Sequence, residues 1–82
     1  MDKLRQDITI GSNLKKLRNK SSFTQEQVVS KLQLMGSSTT RSIYSRYETG
    51  ELNIKISDLV LLTQIFKCDY NNFFNGIAVP KK

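Results

Sequence analysis

The sequence predicts an all-α fold, a compact bundle of five short helices around one apolar core. Three observations carry this. Helical spacing dominates, with apolar residues recurring three and four positions apart. Thr24, Thr40, Ser57 and Asp69 stand where side chains cap helix starts, and Gly36, Gly50 and Gly76 stand where helices stop. Strand signals are weak: Ile8-Thr9-Ile10 alternates but is short, and no Asn-Gly or Asp-Gly turn follows it. At 82 residues the chain has room for one small domain. Residues 1–76 read as that domain and residues 77–82 as a C-terminal tail.

The first helix is expected from about Gln6 to Asn19, because Ile10, Leu14 and Leu17 form one apolar stripe. Gly11 weakens its beginning. The second helix starts clearly. Thr24 and Gln27 have the spacing of a capping box, and Phe23 with Val28 fits a hydrophobic staple. Val28, Val29 and Leu32 give it a core face, and Gly36 ends it. Ser37 to Thr40 is a polar turn. Thr40 caps a third helix, Arg41 to Thr49, with Tyr44 and Tyr47 inward and Gly50 as its stop. A loop from Glu51 to Ile56 leads to Ser57, read as the cap of a fourth helix carrying Leu59, Leu62, Ile65 and Phe66, with Lys67 in its last turn. Asp69 caps a fifth helix, Tyr70 to Asn75, with Phe73 and Phe74 facing in.

Composition removes several functions. There is no His and a single cysteine, Cys68, so one chain holds neither an internal disulfide nor a His/Cys zinc site. Histidine base catalysis is absent too. The four glycines stand too far apart for a phosphate-cradling loop, and no carboxylate pair is placed for acid–base work. An enzyme is not expected, nor a cofactor, a metal or a small-molecule ligand. The longest apolar run, Leu59 to Leu62, is far below the roughly 20 residues of a membrane span. The mixed-charge start, Met1 to Asp7, does not read as a signal peptide, so a cytoplasmic location is expected.

The net charge is +6 and uneven. Met1 to Tyr47 holds nine cations against three anions, whereas Glu48 to Lys82 holds four of each. A one-sided basic surface suggests a polyanion, and nucleic acid is the commonest one. The second and third helices, joined by a polar turn, have the layout of a helix-turn-helix. The major groove, about 12 Å wide, admits one helix. Arg41, Ser42, Ser45 and Arg46 would form the front of that helix, with Tyr44 and Tyr47 as its back.

Asn13 to Arg18, Phe23 to Val28 and Ser42 to Gly50 together resemble the phage repressor/Cro family of helix-turn-helix DNA-binding domains, the lambda-repressor-like type. Phe66 to Phe74 resembles the family's closing segment in pattern. The likeness runs from about Ile10 to Phe74. It implies a five-helix transcription regulator that binds double-stranded DNA, repressor-like, as a homodimer on an inverted-repeat operator. It implies base or groove contacts from Arg41, Ser42, Ser45 and Arg46. Phosphate contacts would come from Gln25, Thr40, Asn53 and Lys55, and a structural salt bridge from Arg18 with Glu48. The stretch from Gln33 to Thr40 is longer than the family's usual turn. Glu51, Leu52 and Ile54 stand where relatives often carry Lys or Arg. Lys15, Lys16 and Lys20 suit long-range steering. Val60, Leu61, Ile77 and Val79 fit either core or a dimer surface. The alternative function is a protein-interaction module, such as the antitoxin half of a pair. RNA binding is less well supported, because the aromatics fall mostly at core positions.

Overall fold

The structure, a computed structural model, describes residues 10–76. Four α-helices and one 3₁₀ turn follow in order: α1 (Gly11–Lys20), α2 (Gln25–Leu34), α3 (Arg41–Thr49), α4 (Ile56–Phe66) and η1 (Tyr70–Phe74). No strand occurs among the described residues. The described residues form an all-α domain. Helix α1 packs on α3 and η1, and α2 packs on α3 and α4. Ile10, Leu14, Val28, Val29, Leu32, Tyr44, Tyr47, Leu62, Ile65, Phe66 and Phe73 form the core.

Helix α1 begins at Gly11, later than the stripe from Gln6 suggested; residues 6–9 of that expectation lie outside the described residues. Ile10 is its cap and is buried. The glycine that reads as a weakness in the helix is required by packing. A Cβ at position 11 would lie 2.7 Å from the carbonyl oxygen of Tyr47 and closer still to that of Glu48. Gly11→Ala is therefore expected to destabilise the domain by about 2 kcal/mol, although alanine is the better helix former. Thermal denaturation checks this; an unchanged or raised midpoint would contradict the close approach of α1 to α3.

Helix α2 starts with the full capping box. Gln27 N–H donates to Thr24 Oγ1 at 3.1 Å, and Thr24 N–H donates to Gln27 Oε1 at 2.8 Å. It ends in a Schellman motif around Gly36 at φ +101°: Ser37 N–H donates to the Leu32 carbonyl at 2.9 Å and Gly36 N–H to that of Gln33 at 3.0 Å. Helix α3 has the expected bounds, with Gly50 left-handed at its end.

Three details differ from the sequence expectations. Helix α4 begins at Ile56 with Lys55 as its cap, so Ser57 is inside the helix and not its cap. No side-chain cap bond closes its first turn; Asp58 in that turn is held instead by the bonds its carboxylate accepts from other segments. Lys67 lies just past the helix in a left-handed conformation, φ +52°, rather than in its last turn. The fifth helix is a 3₁₀ turn, and Phe74 is 51% exposed while Phe73 is fully buried. With three residues per turn, adjacent side chains point about 120° apart, so both phenylalanines cannot face the core. Asn13 ties this turn to α1, its Nδ2 donating to the carbonyls of Phe73 and Asn75, each at 2.9 Å. The proposed tail, residues 77–82 with Ile77 and Val79, lies outside the described residues.

Candidate nucleic-acid interface

Helix α3 presents one polar face. At 100° per residue, positions 41, 42, 45, 46 and 49 fall within an arc of about 140°. Arg41, Ser42, Arg46 and Thr49 are exposed and Ser45 is half-buried. The opposite side carries Tyr44 and Tyr47, both buried, with ring centroids 6.3 Å apart at an interplanar angle of 73°. That edge-to-face contact and the apolar bodies of the rings seat the helix on the core. Thr40 Oγ1 caps its start, accepting from Ile43 N–H at 3.3 Å.

A buried carboxylate fixes the turn and the helix together. Asp58 accepts hydrogen bonds from Ser37 Oγ at 2.7 Å, Thr39 Oγ1 at 2.5 Å and Tyr47 Oη at 2.7 Å. Its partners come from the turn before α3 and from α3 itself, while Asp58 belongs to α4. Burial pushes the Asp58 carboxyl up, but the bonds from Thr39, Ser37 and Tyr47 and the charge of Lys55 outweigh it, so the group titrates below its ordinary value. Gln33 adds a further tie, its Nε2 donating to the Thr39 carbonyl at 3.0 Å.

A second polar chain links the core to the exposed face. Arg18 grips Glu48 with both arms of its fork, Nε to Oε2 at 2.6 Å and Nη2 to Oε1 at 3.1 Å. The side chains of this pair are 12% and 3% exposed. Arg18 Nη1 also donates to the Phe23 carbonyl at 2.9 Å, which anchors the chain just before α2. Burial raises the Glu48 carboxyl, and the bonds from Arg18 and Gln25 overcome this and hold it below its ordinary value. The Arg18 guanidinium is raised above its own, first by its bond to Glu48. The Tyr44 hydroxyl is buried with no hydrogen-bond partner among the described residues; burial, then the charge of Glu48, raises its pKa far above the ordinary value.

Gln25 continues this chain outward. Its Nε2 donates to Glu48 Oε1 at 3.0 Å, and its Oε1 accepts from Arg41 Nε at 2.9 Å. Arg41 Nη1 meets Glu26 Oε1 at 3.1 Å. The start of α2 and the start of α3 are thus stitched side by side. Of the other residues singled out from the sequence, Thr40 is exposed at the mouth of α3, and Asn53 and Lys55 are exposed on the following segment. That segment is tied back to α3 by Leu52 N–H, which donates to the Arg46 carbonyl at 3.2 Å. Lys15, Lys16 and Lys20 are exposed on α1.

The sequence reading missed Ser37, Thr39 and Asp58 as one unit and gave Glu26 no role. Spacing along the chain does not signal either. Ser37 and Thr39 look like ordinary turn residues, and an acid in a first helical turn looks like a dipole partner. Among the described residues, no group of three or more His, Cys, Asp or Glu could hold a metal ion. No helix among them is long and apolar enough to cross a membrane.

The profile of the helix-turn-helix family matches residues 14–73, well over half of the chain and spanning α1 to η1 with little left out. No curated protein and no solved structure matches the chain.

Proposed function

The chain belongs to the lambda-repressor-like helix-turn-helix family, a non-enzymatic family of DNA-binding domains, and from that premise we propose that it is a repressor-like transcription regulator reading an inverted-repeat operator as a homodimer. Helix α3 lies in the major groove. Arg41, Ser42, Ser45 and Arg46 meet base edges or the groove walls. Gln25, Thr40, Asn53 and Lys55 set register on phosphates, which position the protein without specifying sequence. Regulation is by occupancy of the site.

The observation that carries this reading is the polar arc of α3, exposed at Arg41, Ser42 and Arg46 and backed by two fully buried tyrosines. Arg fits guanine, whose O6 and N7 accept a bidentate fork, and short serines permit close approach of the helix. Exposed lysines on α1 suit electrostatic steering toward a polyanion. One helix in one groove gives limited affinity, and paired domains reading half-sites about 34 Å apart supply the rest. The exposed apolar residues Val60 on α4 and Tyr70 and Phe74 on η1 support pairing through those elements.

Selection from a random duplex pool tests the function. Enrichment of an inverted repeat with half-sites about one helical turn apart is expected, and recovery of no preferred duplex would contradict it. Against the recovered duplex, Arg41→Ala is expected to cost about 1–3 kcal/mol and to relax preference at one base pair. Affinity should also fall steeply with salt as counterions are released, and a flat salt series would remove the electrostatic basis.

A protein-interaction role is the second reading. It is favoured by Leu34, 87% exposed beside a cleft lined by Phe23, Met35 and Ile65. A second polypeptide that co-purifies with the chain at fixed stoichiometry would support it.

A further inference from the structure

Glu26 is an acid on the surface assigned to DNA. Its carboxylate sits 3.1 Å from Nη1 of Arg41, the arginine at the start of α3. On its other side the guanidinium is held by Gln25, whose amide is bonded to the buried Glu48 at 3.0 Å. The fork is therefore steered by an amide bolted to the core and by a carboxylate with its own charge. Two of its five N–H groups are used in these contacts, and three remain to reach a base edge.

Stability does not account for the Glu26 contact. Its two side chains are 55% and 78% exposed, and ion pairs that open to water contribute little. An acid in the first turn of α2 also suits the helix dipole, but that effect needs no arginine beside it. The contact has a larger consequence beside DNA. A phosphate that settles on the Arg41 guanidinium itself, in addition to any held by Gln25 and Thr40 in both kinds of complex, comes close to Glu26, which repels it. A guanine edge, carrying no net charge, meets no such penalty and still accepts the remaining N–H groups.

We propose that Glu26 is a specificity-determining residue: it turns Arg41 toward base edges and penalises complexes in which Arg41 settles on a phosphate. This rests on the reading of α3 as the groove-facing helix. Discrimination is a difference between two affinities, and a repulsive element that weakens the wrong complex more than the right one enlarges it. In the wrong complexes Glu26 cancels one arginine–phosphate contact, which lowers the salt dependence of non-specific binding by about one counterion.

The test titrates the wild-type chain, Glu26→Gln, Arg41→Ala and the double variant against two duplexes over a salt series. One is the duplex recovered by selection, and the other has the same length and composition in scrambled order. Glu26→Gln is expected to tighten binding to the scrambled duplex about tenfold and to change the selected one by less than about threefold. The slope of log affinity against log salt on the scrambled duplex should steepen by about one. With Arg41 already replaced by alanine, Glu26→Gln should leave the ratio between duplexes unchanged. The proposal is overturned if Glu26→Gln leaves the ratio intact, or lowers it equally without Arg41. A wild-type chain that does not distinguish the duplexes overturns the function itself and this inference with it. A discriminating wild type matched by Glu26→Gln overturns the inference alone.

Discussion

Asp58→Ala is expected to lower the unfolding free energy by about 3–5 kcal/mol. The carboxylate is 1% exposed and accepts from three hydroxyls, those of Ser37, Thr39 and Tyr47. A hydrogen bond to a charged group contributes about 1.5–3 kcal/mol, and each buried hydroxyl left unpaired adds a desolvation cost. The three bonds share one acceptor, so their contributions do not simply add. The loss should appear as a drop in melting temperature of about 15 °C or more for a domain of this size. Asp58→Asn keeps one acceptor oxygen and should lose less; equal losses for the two variants would contradict the hydroxyl network as the cause.

The same carboxylate sets a pH dependence. Its folded pKa is depressed, so its contribution is present above the unfolded value and is lost as pH falls through the folded one. Glu48 has the same sign. Wild-type stability should therefore decline below about pH 4, and Asp58→Asn should flatten that decline. A pH profile of chemical denaturation, identical in the two proteins, would refute the assignment to Asp58.

Glu48→Ala is expected to cost about 3 kcal/mol or more, for a different reason. The Arg18 side chain, 12% exposed, would keep the Phe23 carbonyl at 2.9 Å as its hydrogen-bond partner and lose its counter-charge. Most of the expected loss is the penalty of that stranded cation, not the net value of the pair. Replacing both partners by apolar residues, Arg18→Met with Glu48→Leu, should consequently regain much of the stability. A melting temperature unchanged by Glu48→Ala would refute the role of the pair, and a double variant weaker than the single one would refute the stranded-charge explanation. Gln25 loses its anchor in both variants. Discrimination between duplexes should fall even in the double variant that recovers stability.

Local signals on the chain made much of the fold legible. The capping box at Thr24, the Schellman glycine at position 36, the bounds of α3 and the paired tyrosines all depend on contacts within a few residues or on helical period. What the sequence hid depends on contacts across the fold. Gly11 reads as a poor helix residue until α3 is placed against it, and Asp58 reads as a first-turn acid until three hydroxyls from other segments converge on it. Ser57 looks a better cap than Lys55, yet α4 starts where Asp58 is held. Phe73 and Phe74 look alike in sequence and differ in burial because the backbone there turns every three residues. At the interface, the polar arc of α3 followed from helical period, whereas the chain from Arg18 through Glu48 and Gln25 to Arg41 required the tertiary arrangement.

The outward arc of α3 is proposed to meet the bases of duplex DNA. Intermolecular proton NOEs between the chain and its selected duplex test it most directly. NOEs from Arg41, Ser42 and Ser45 side-chain protons to base protons in the major groove are expected, with none from the Tyr44 and Tyr47 rings. NOEs confined to α4 and η1, with the α3 side chains silent, would contradict it.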